Sequence, residues 1–246
     1  MTAGSIAATL SAAHQRRTQI RSAGELQDAA QAYATQDLVW QRIRPGARVR
    51  AWKVGGANDR VEPTASPVLR LEQSPAQLAG ADFHVIGLEA EIAFRLARDL
   101  PAAAAEADVA AAIGEAVVAI EICDTRLSDW KTASELWKLA DFQNNGALVA
   151  GSGTARWQAI DWRVQRAQLL VDGATCIDVT GAHPFGNPLR LMPWIAAHCA
   201  RRSGGLRAGD MVTTGSWGGV HYVEPGCEVR ARFAGIGEAS VWIRPR

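Results

Sequence analysis

The sequence predicts an α+β fold: N-terminal helices followed by a largely antiparallel β-core. Three observations carry this. Helical spacing of apolar residues is confined mainly to the first 40 positions, with Leu26, Ala29, Ala30 and Tyr33 on one face. From about residue 49 onward, short apolar runs alternate with glycine- and proline-rich turns. Two runs near the end, 168–171 and 176–179, flank Asp172-Gly173, a strong hairpin signal.

Along the chain, a first helix is expected through Ile6, Leu10 and Ala13. Ser22-Ala23-Gly24-Glu25 has the Ser-x-x-Glu form of a capping box and predicts a second helix to about Gln36. An arginine-rich link then leads to a strand, Val49 to Gly56. Residues 57–82, with Pro63, Pro67 and Pro75, show little periodicity and read as a loop-rich segment able to cover a site. In Gly87-Leu88-Glu89-Ala90-Glu91-Ile92-Ala93-Phe94 the strand period of two puts Leu88, Ala90, Ile92 and Phe94 on one face. Glu89 and Glu91 then share the other face. A short helix over 101–114 precedes Ala116-Val117-Val118-Ala119-Ile120-Glu121-Ile122-Cys123, an apolar run broken by one carboxylate. Later come a polar turn at 141–146, a helix over 188–202 stopped by Gly204-Gly205, a strand at 211–214, and a final alternating pair over 229–243. The division expected is an N-terminal helical segment, 1–50, and a main domain, 51–246, packed as one unit.

A glutamate inside an apolar run is costly to bury unless it is paired or bound to a cation. If the two carboxylate-bearing strands are neighbours, Glu89, Glu91 and Glu121 converge. Three carboxylates without histidine or cysteine describe a site for a hard cation, Mg²⁺ or Mn²⁺. Glu-x-Glu is also common as an ordinary solvated strand face, and that reading stays open at this point.

The 246 residues carry 26 Lys and Arg against 25 Asp and Glu, so nothing calls for nucleic acid or an anionic membrane. No run is apolar for long enough to cross a bilayer, and residues 1–13 lack the basic start of a secretory signal. The four cysteines are far apart, a pattern of reduced thiols in a cytoplasmic protein. Nine tryptophans point to core and interface packing, compatible with a homo-oligomer.

Several spaced motifs together resemble the hydratase/decarboxylase branch of the fumarylacetoacetate hydrolase superfamily. They are Trp52-Lys53-Val54-Gly55, Glu89-Ala90-Glu91-Ile92-Ala93-Phe94, Ala119-Ile120-Glu121-Ile122 with Asp124-x-Arg126-x-x-Asp129-Trp130, Gly186-Asn187-Pro188, and Ala208-Gly209-Asp210-x-Val212-x-Thr214-Gly215-Ser216. The resemblance implies a mixed β-sandwich or roll, a lyase of the 2-keto-4-pentenoate hydratase kind acting in aromatic catabolism, and an oligomer. It places the metal triad on Glu89, Glu91 and Glu121 and the active-site lysine on Lys53. The substrate, a small 2-oxo or 2-hydroxy acid, would meet Thr214-Gly215-Ser216 and Asp141. Such an acid would chelate Mg²⁺ through its carboxylate and 2-oxygen, and Lys53 would move a proton along its carbon chain where burial or the metal's charge lowers its pKa. Alternatives within the branch are a decarboxylase of a 4-oxalocrotonate-type acid and a catalytically impaired partner subunit; a C–C hydrolase of an acylpyruvate belongs to a neighbouring branch. This chain departs from the family at Thr64, where an aspartate is usual, at Phe142-Gln143-Asn144, and at Leu88. The 58–62 loop has no histidine, unlike the hydrolases. His183 and His221 read as structural or surface residues, and Arg126 and Asp129 as holding the turn after Glu121.

Overall fold

Chain order follows the alternation of apolar runs and turns. The computed structural model describes residues 2–246. The elements are α1 (Ala3–Arg16), α2 (Ala29–Ile43), β1 (Ala51–Gly55), β2 (Thr64–Pro67), β3 (Leu71–Gln73), β4 (Ala76–Ala79) and β5 (Gly87–Leu96). They continue with α3 (Glu106–Ala112), β6 (Ile113–Cys123), α4 (Glu135–Ala140), β7 (Asn145–Thr154), β8 (Arg166–Val171) and β9 (Ala174–Thr180). The last are α5 (Met192–Ser203), β10 (Met211–Ser216), β11 (His221–Tyr222), β12 (Cys227–Phe233) and β13 (Gly237–Arg244).

The strands form two sheets. One runs β2-β1-β10-β5-β6-β7-β3 with β11 beside β5; the other runs β4-β13-β12-β8-β9. Most pairs are antiparallel, while β1–β10, β3–β7 and β4–β13 are parallel. Leu88, Ala90, Ile92 and Phe94 are fully buried and share a core with Val229, Ala231, Val241 and Ile243 of the second sheet. Burying each large aliphatic or aromatic side chain there contributes about 1.5–3 kcal/mol. The opposite face of β5, β6 and β7 is divided. Ala93, Val117, Ala119, Leu148 and Ala150 form a small apolar cluster at one end, and the carboxylates occupy the other. A third cluster joins α1 and α2 to α4 through Ile6, Leu10, Val39 and Trp137.

Three expectations are corrected. The second helix does not start at Ser22, because the Asp129 carboxylate takes both Ser22 donors, N at 3.0 Å and Oγ at 2.7 Å. Asp28 caps it instead, accepting from Gln31 N at 2.8 Å, and it runs on to Ile43. The 101–114 helix shrinks to α3, and Gly114 lies inside β6 rather than capping a helix. Residues 57–82 contain β2, β3 and β4; two of these pair in parallel with strands far along the chain, which local periodicity does not reveal. The Asp172-Gly173 hairpin forms as expected, with both residues at positive φ, 48° and 80°.

Candidate active site

Side-chain alternation on β5 and β6 builds the site. Glu89 lies directly opposite Glu121 in the antiparallel register, and Glu91 is two residues further along the same face. Lys53 reaches in from β1, its Nζ donating to Glu121 Oε1 at 2.6 Å and to the Gln143 carbonyl at 3.2 Å. Asn145 Nδ2 donates to the same Glu121 oxygen at 2.9 Å. Glu121 Oε2 is buried and has no hydrogen-bond partner among the described residues. An orphaned carboxylate oxygen inside a protein is expensive, and a cation is the partner that suits it. Glu91 accepts from Thr213 Oγ1 and from Gly215 N, the latter at 3.2 Å. Cys123 Sγ lies 3.5 Å from Glu89 Oε2.

Crowded carboxylates titrate together. Burial, then repulsion from Glu121, raises the Glu89 carboxyl above the ordinary range; burial, Glu121 and Glu89 raise Glu91 further. Burial alone would lower the Lys53 ammonium, but Glu121, Cys123, Glu89 and Glu91 outweigh it and hold Lys53 above its usual value. These acidic oxygens fit a hard divalent cation.

The group faces a cavity of about 540 Å³. Its walls include Lys53, Thr64, Glu89, Glu91, Gln143 and the 214–216 loop, with Trp130, Tyr222, Val85 and Val220 giving an apolar side. The Trp130 and Tyr222 rings lie 5.5 Å apart. Gly215 turns the loop at φ 100°, a conformation suited to glycine. Thr214 Oγ1 donates to the Ile92 carbonyl and Ser216 Oγ to the Gly219 carbonyl, each at 2.8 Å. Both hydroxyls are therefore committed within the protein. His183 stands behind this loop. Its Nδ1 accepts from Phe185 N and its Nε2 donates to the Thr214 carbonyl at 2.8 Å, the neutral tautomer. Burial takes its pKa down to about 4, so the ring stays uncharged and structural.

Asp141, expected beside the substrate, is corrected: it is fully buried and absent from the cavity wall. Arg126 draws it inward. The carboxylate accepts from Arg126 Nε at 2.7 Å, Arg126 N at 2.8 Å and Thr125 Oγ1 at 3.1 Å. Burial raises its pKa, against the pull of Arg126. Asp129, expected to hold the turn after Glu121, ties that turn to Ser22. After Asp141, three consecutive residues, Phe142, Gln143 and Asn144, take left-handed backbone with φ of 53°, 51° and 56°. Non-glycine residues pay about 1–2 kcal/mol each for that hand. Their carbonyls are all captured: Phe142 by Ser66 Oγ, Gln143 by Lys53 and Asn144 by Asp124 N. Arg126 binds the flanking carbonyls of Asp141 and Asn145. Asn145, Thr213, Gln143 and Cys123 are site residues that sequence reasoning missed. Asn145 follows the polar turn just before an apolar strand, a position that carries no local signal of its partner.

The fumarylacetoacetate (FAA) hydrolase C-terminal family matches residues 63–243, most of the chain. The chain belongs to this family. It is 36% identical over 151 residues to a 2-keto-4-pentenoate hydratase of Burkholderia vietnamiensis, covering 61% of this chain and 57% of that relative. It is 32% identical over 228 residues to a hydratase of Pseudomonas putida described as the TodF product hydratase, covering 87% and 83%. Among solved structures, the 4-oxalocrotonate decarboxylase of Pseudomonas putida G7, complexed with magnesium and adipate, superposes with a TM-score of 0.84 at 20% identity. That overlap covers 98% of this chain and 97% of the other, a shared fold. Fumarylpyruvate hydrolase of Pseudomonas aeruginosa, in complex with Mn²⁺ and pyruvate, is more distant at a TM-score of 0.62.

Proposed function

We propose that this chain is a divalent-metal-dependent hydratase that adds water to a 2-hydroxy-2,4-dienoate, giving a 4-hydroxy-2-oxo acid. The observation that carries the reading is the convergence of Glu89, Glu91 and Glu121 beside a cavity that Trp130, Tyr222, Val85 and Val220 also line. Glu89, Glu91 and Glu121 would hold Mg²⁺ or Mn²⁺. When bound, such a cation polarises the carboxylate and 2-oxygen of a chelating acid. The relatives named as 2-keto-4-pentenoate hydratases support the reaction class.

The residues then have distinct work. Lys53 Nζ, in contact with Glu121 and lining the cavity, would hold a proton there, with a bound cation offsetting the pull of the carboxylates. Delivered to the far carbon of the dienol while the 2-hydroxyl loses its own, that proton yields a 2-oxo-3-enoate. Water then adds, hydroxyl to C4 and hydrogen to C3. The 214–216 loop lines the cavity where the substrate carboxylate would lie, its own hydroxyls engaged within the protein. Lys53 is the single cation among the cavity-lining residues and is already paired with Glu121. A second substrate carboxylate would find no counter-ion there. That favours a monocarboxylate with an apolar tail over the dicarboxylate of a 4-oxalocrotonate-type decarboxylase.

The test is loss of dienol absorbance in the Mg²⁺-loaded protein. Glu89→Ala is expected to bring the rate to background. Undiminished turnover in that variant would sink the proposal. CO₂ release from an oxalocrotonate-type acid would favour the decarboxylase. Binding of oxalate with Mg²⁺ but no turnover of either acid would favour a partner subunit without activity of its own.

A further inference from the structure

The sequence reading counted only oxygen donors, yet the cavity holds a sulfur beside them. Cys123 is the last residue of β6, two positions after Glu121 and so on the same face. Opposite it on β5 is Gly87, where an added Cβ would lie 2.8 Å from Val220 Cγ2, 3.1 Å from Tyr222 Cε1 and 3.2 Å from the Cys123 Cβ, so a larger residue there would crowd all three. Cys123 is half-buried and lines the cavity. One ligand atom each from Glu89, Glu121 and Cys123 lies within 4.8 Å of the other two. Glu121 supplies an independent indication, because its Oε2 is buried in this group without a partner. Glu91, by contrast, already accepts from Thr213 and Gly215.

We infer that Cys123 gives the centre a second coordination mode, in which Cys123, Glu89 and Glu121 together take a borderline divalent cation such as Zn²⁺ or Co²⁺. The inference rests on the reading of these carboxylates as cation ligands. Its chemistry is ligand softness. Mg²⁺ gains nothing from a thiolate, whereas Zn²⁺ and Co²⁺ bind sulfur well. The thiol proton leaves to solvent as the sulfur–metal bond forms, and no electron is transferred. The same pocket therefore discriminates cations by whether the sulfur is used.

Titration of the full chain with Co²⁺, without substrate, reads this directly. A near-ultraviolet thiolate-to-cobalt band is expected in the wild type and in Cys176→Ser, the exposed thiol, and is expected to vanish in Cys123→Ser. In Cys123→Ser, Zn²⁺ affinity should fall by about tenfold or more, while Mg²⁺ affinity changes by less than about threefold. A wild-type measurement covers the case in which the variant does not fold. Zn²⁺ should slow alkylation of Cys123, followed by mass spectrometry, by about tenfold or more, and Mg²⁺ far less. Co²⁺ binding without the band, a band that survives Cys123→Ser, or equal protection by Zn²⁺ and Mg²⁺ overturns the inference. If neither Mg²⁺ nor Co²⁺ binds, the hydratase reading fails as well; if Mg²⁺ binds and the sulfur signals are missing, only this inference does.

Discussion

Replacing Asp141 by asparagine removes one charge from a buried pair while keeping the shape of the side chain. Asp141 is fully buried and Arg126 is 4% exposed, so solvent does little to screen either. The carboxylate accepts three hydrogen bonds, two of them from Arg126. Removing one partner of a buried pair costs about 3–5 kcal/mol when the other charge is left alone; Arg126 keeps Asp124 at 3.6 Å, which puts the cost at the lower end, about 3 kcal/mol. For a chain of this size the melting midpoint should drop by roughly 10 °C. The effect should reach the cavity indirectly. Arg126 also donates to the Asn145 carbonyl at 2.9 Å, and Asn145 holds Glu121. Mg²⁺ affinity should therefore fall by about tenfold. Thermal melts with and without Mg²⁺, plus calorimetric Mg²⁺ titration, measure both. The double variant Arg126→Met/Asp141→Leu separates the causes, because it removes both charges of the pair, leaves Asp124 with the His84 and Val85 amides, and should recover part of the lost stability. An unchanged melting midpoint together with a raised KM would mean that Asp141 meets substrate, and would refute the reasoning.

Two further outcomes are expected. Asn145→Ala removes a donor to Glu121 and the acceptor for Leu69 N, at 2.8 Å. It should cost about 1–3 kcal/mol in urea unfolding, and stability within error of wild type would contradict the assignment. His183 has a folded pKa of about 4, below its unfolded value of about 6.5, so the unfolded chain takes up the proton first. Its contribution is present above pH 6.5 and is lost as pH falls towards 4, to a limit of about 3 kcal/mol. His183→Gln should lose correspondingly less stability between pH 7 and pH 4.5; parallel pH profiles would count against it.

Much of the site was legible because strand alternation is a local rule. Glu89, Glu91 and Glu121 needed only the period of two and a guess that their strands were neighbours; the register then set Glu89 against Glu121. The Asp172-Gly173 hairpin was legible for the same local reason. What escaped depends on distant partners. Ser22 looks like a helix cap until Asp129, more than a hundred residues away, takes its hydrogen bonds. β3 and β4 pair in parallel with β7 and β13, and such pairing leaves little trace in three or four residues. Asp141 resembled a site residue by motif, but the side chain that decides its direction is Arg126. Cys123 went uncounted because a lone cysteine shows its neighbours only once the chain has folded.

The left-handed turn at 142–144 has a consequence for how the pocket comes into being. Of Phe-Gln-Asn only asparagine readily takes that hand, and no glycine relieves the other two. Its ties come from Lys53 and Ser66, on strands formed far earlier in the chain, and from Asp124 and Arg126 behind Glu121. The ties from Lys53 and Ser66 span 90 and 76 residues. An excised peptide would have no reason to hold this shape. The turn is therefore a product of the assembled sheet, and so is the position of Lys53, which donates to it. Lys53 and the cavity wall at Gln143 are thus held in register by contacts between distant parts of the chain rather than by local sequence.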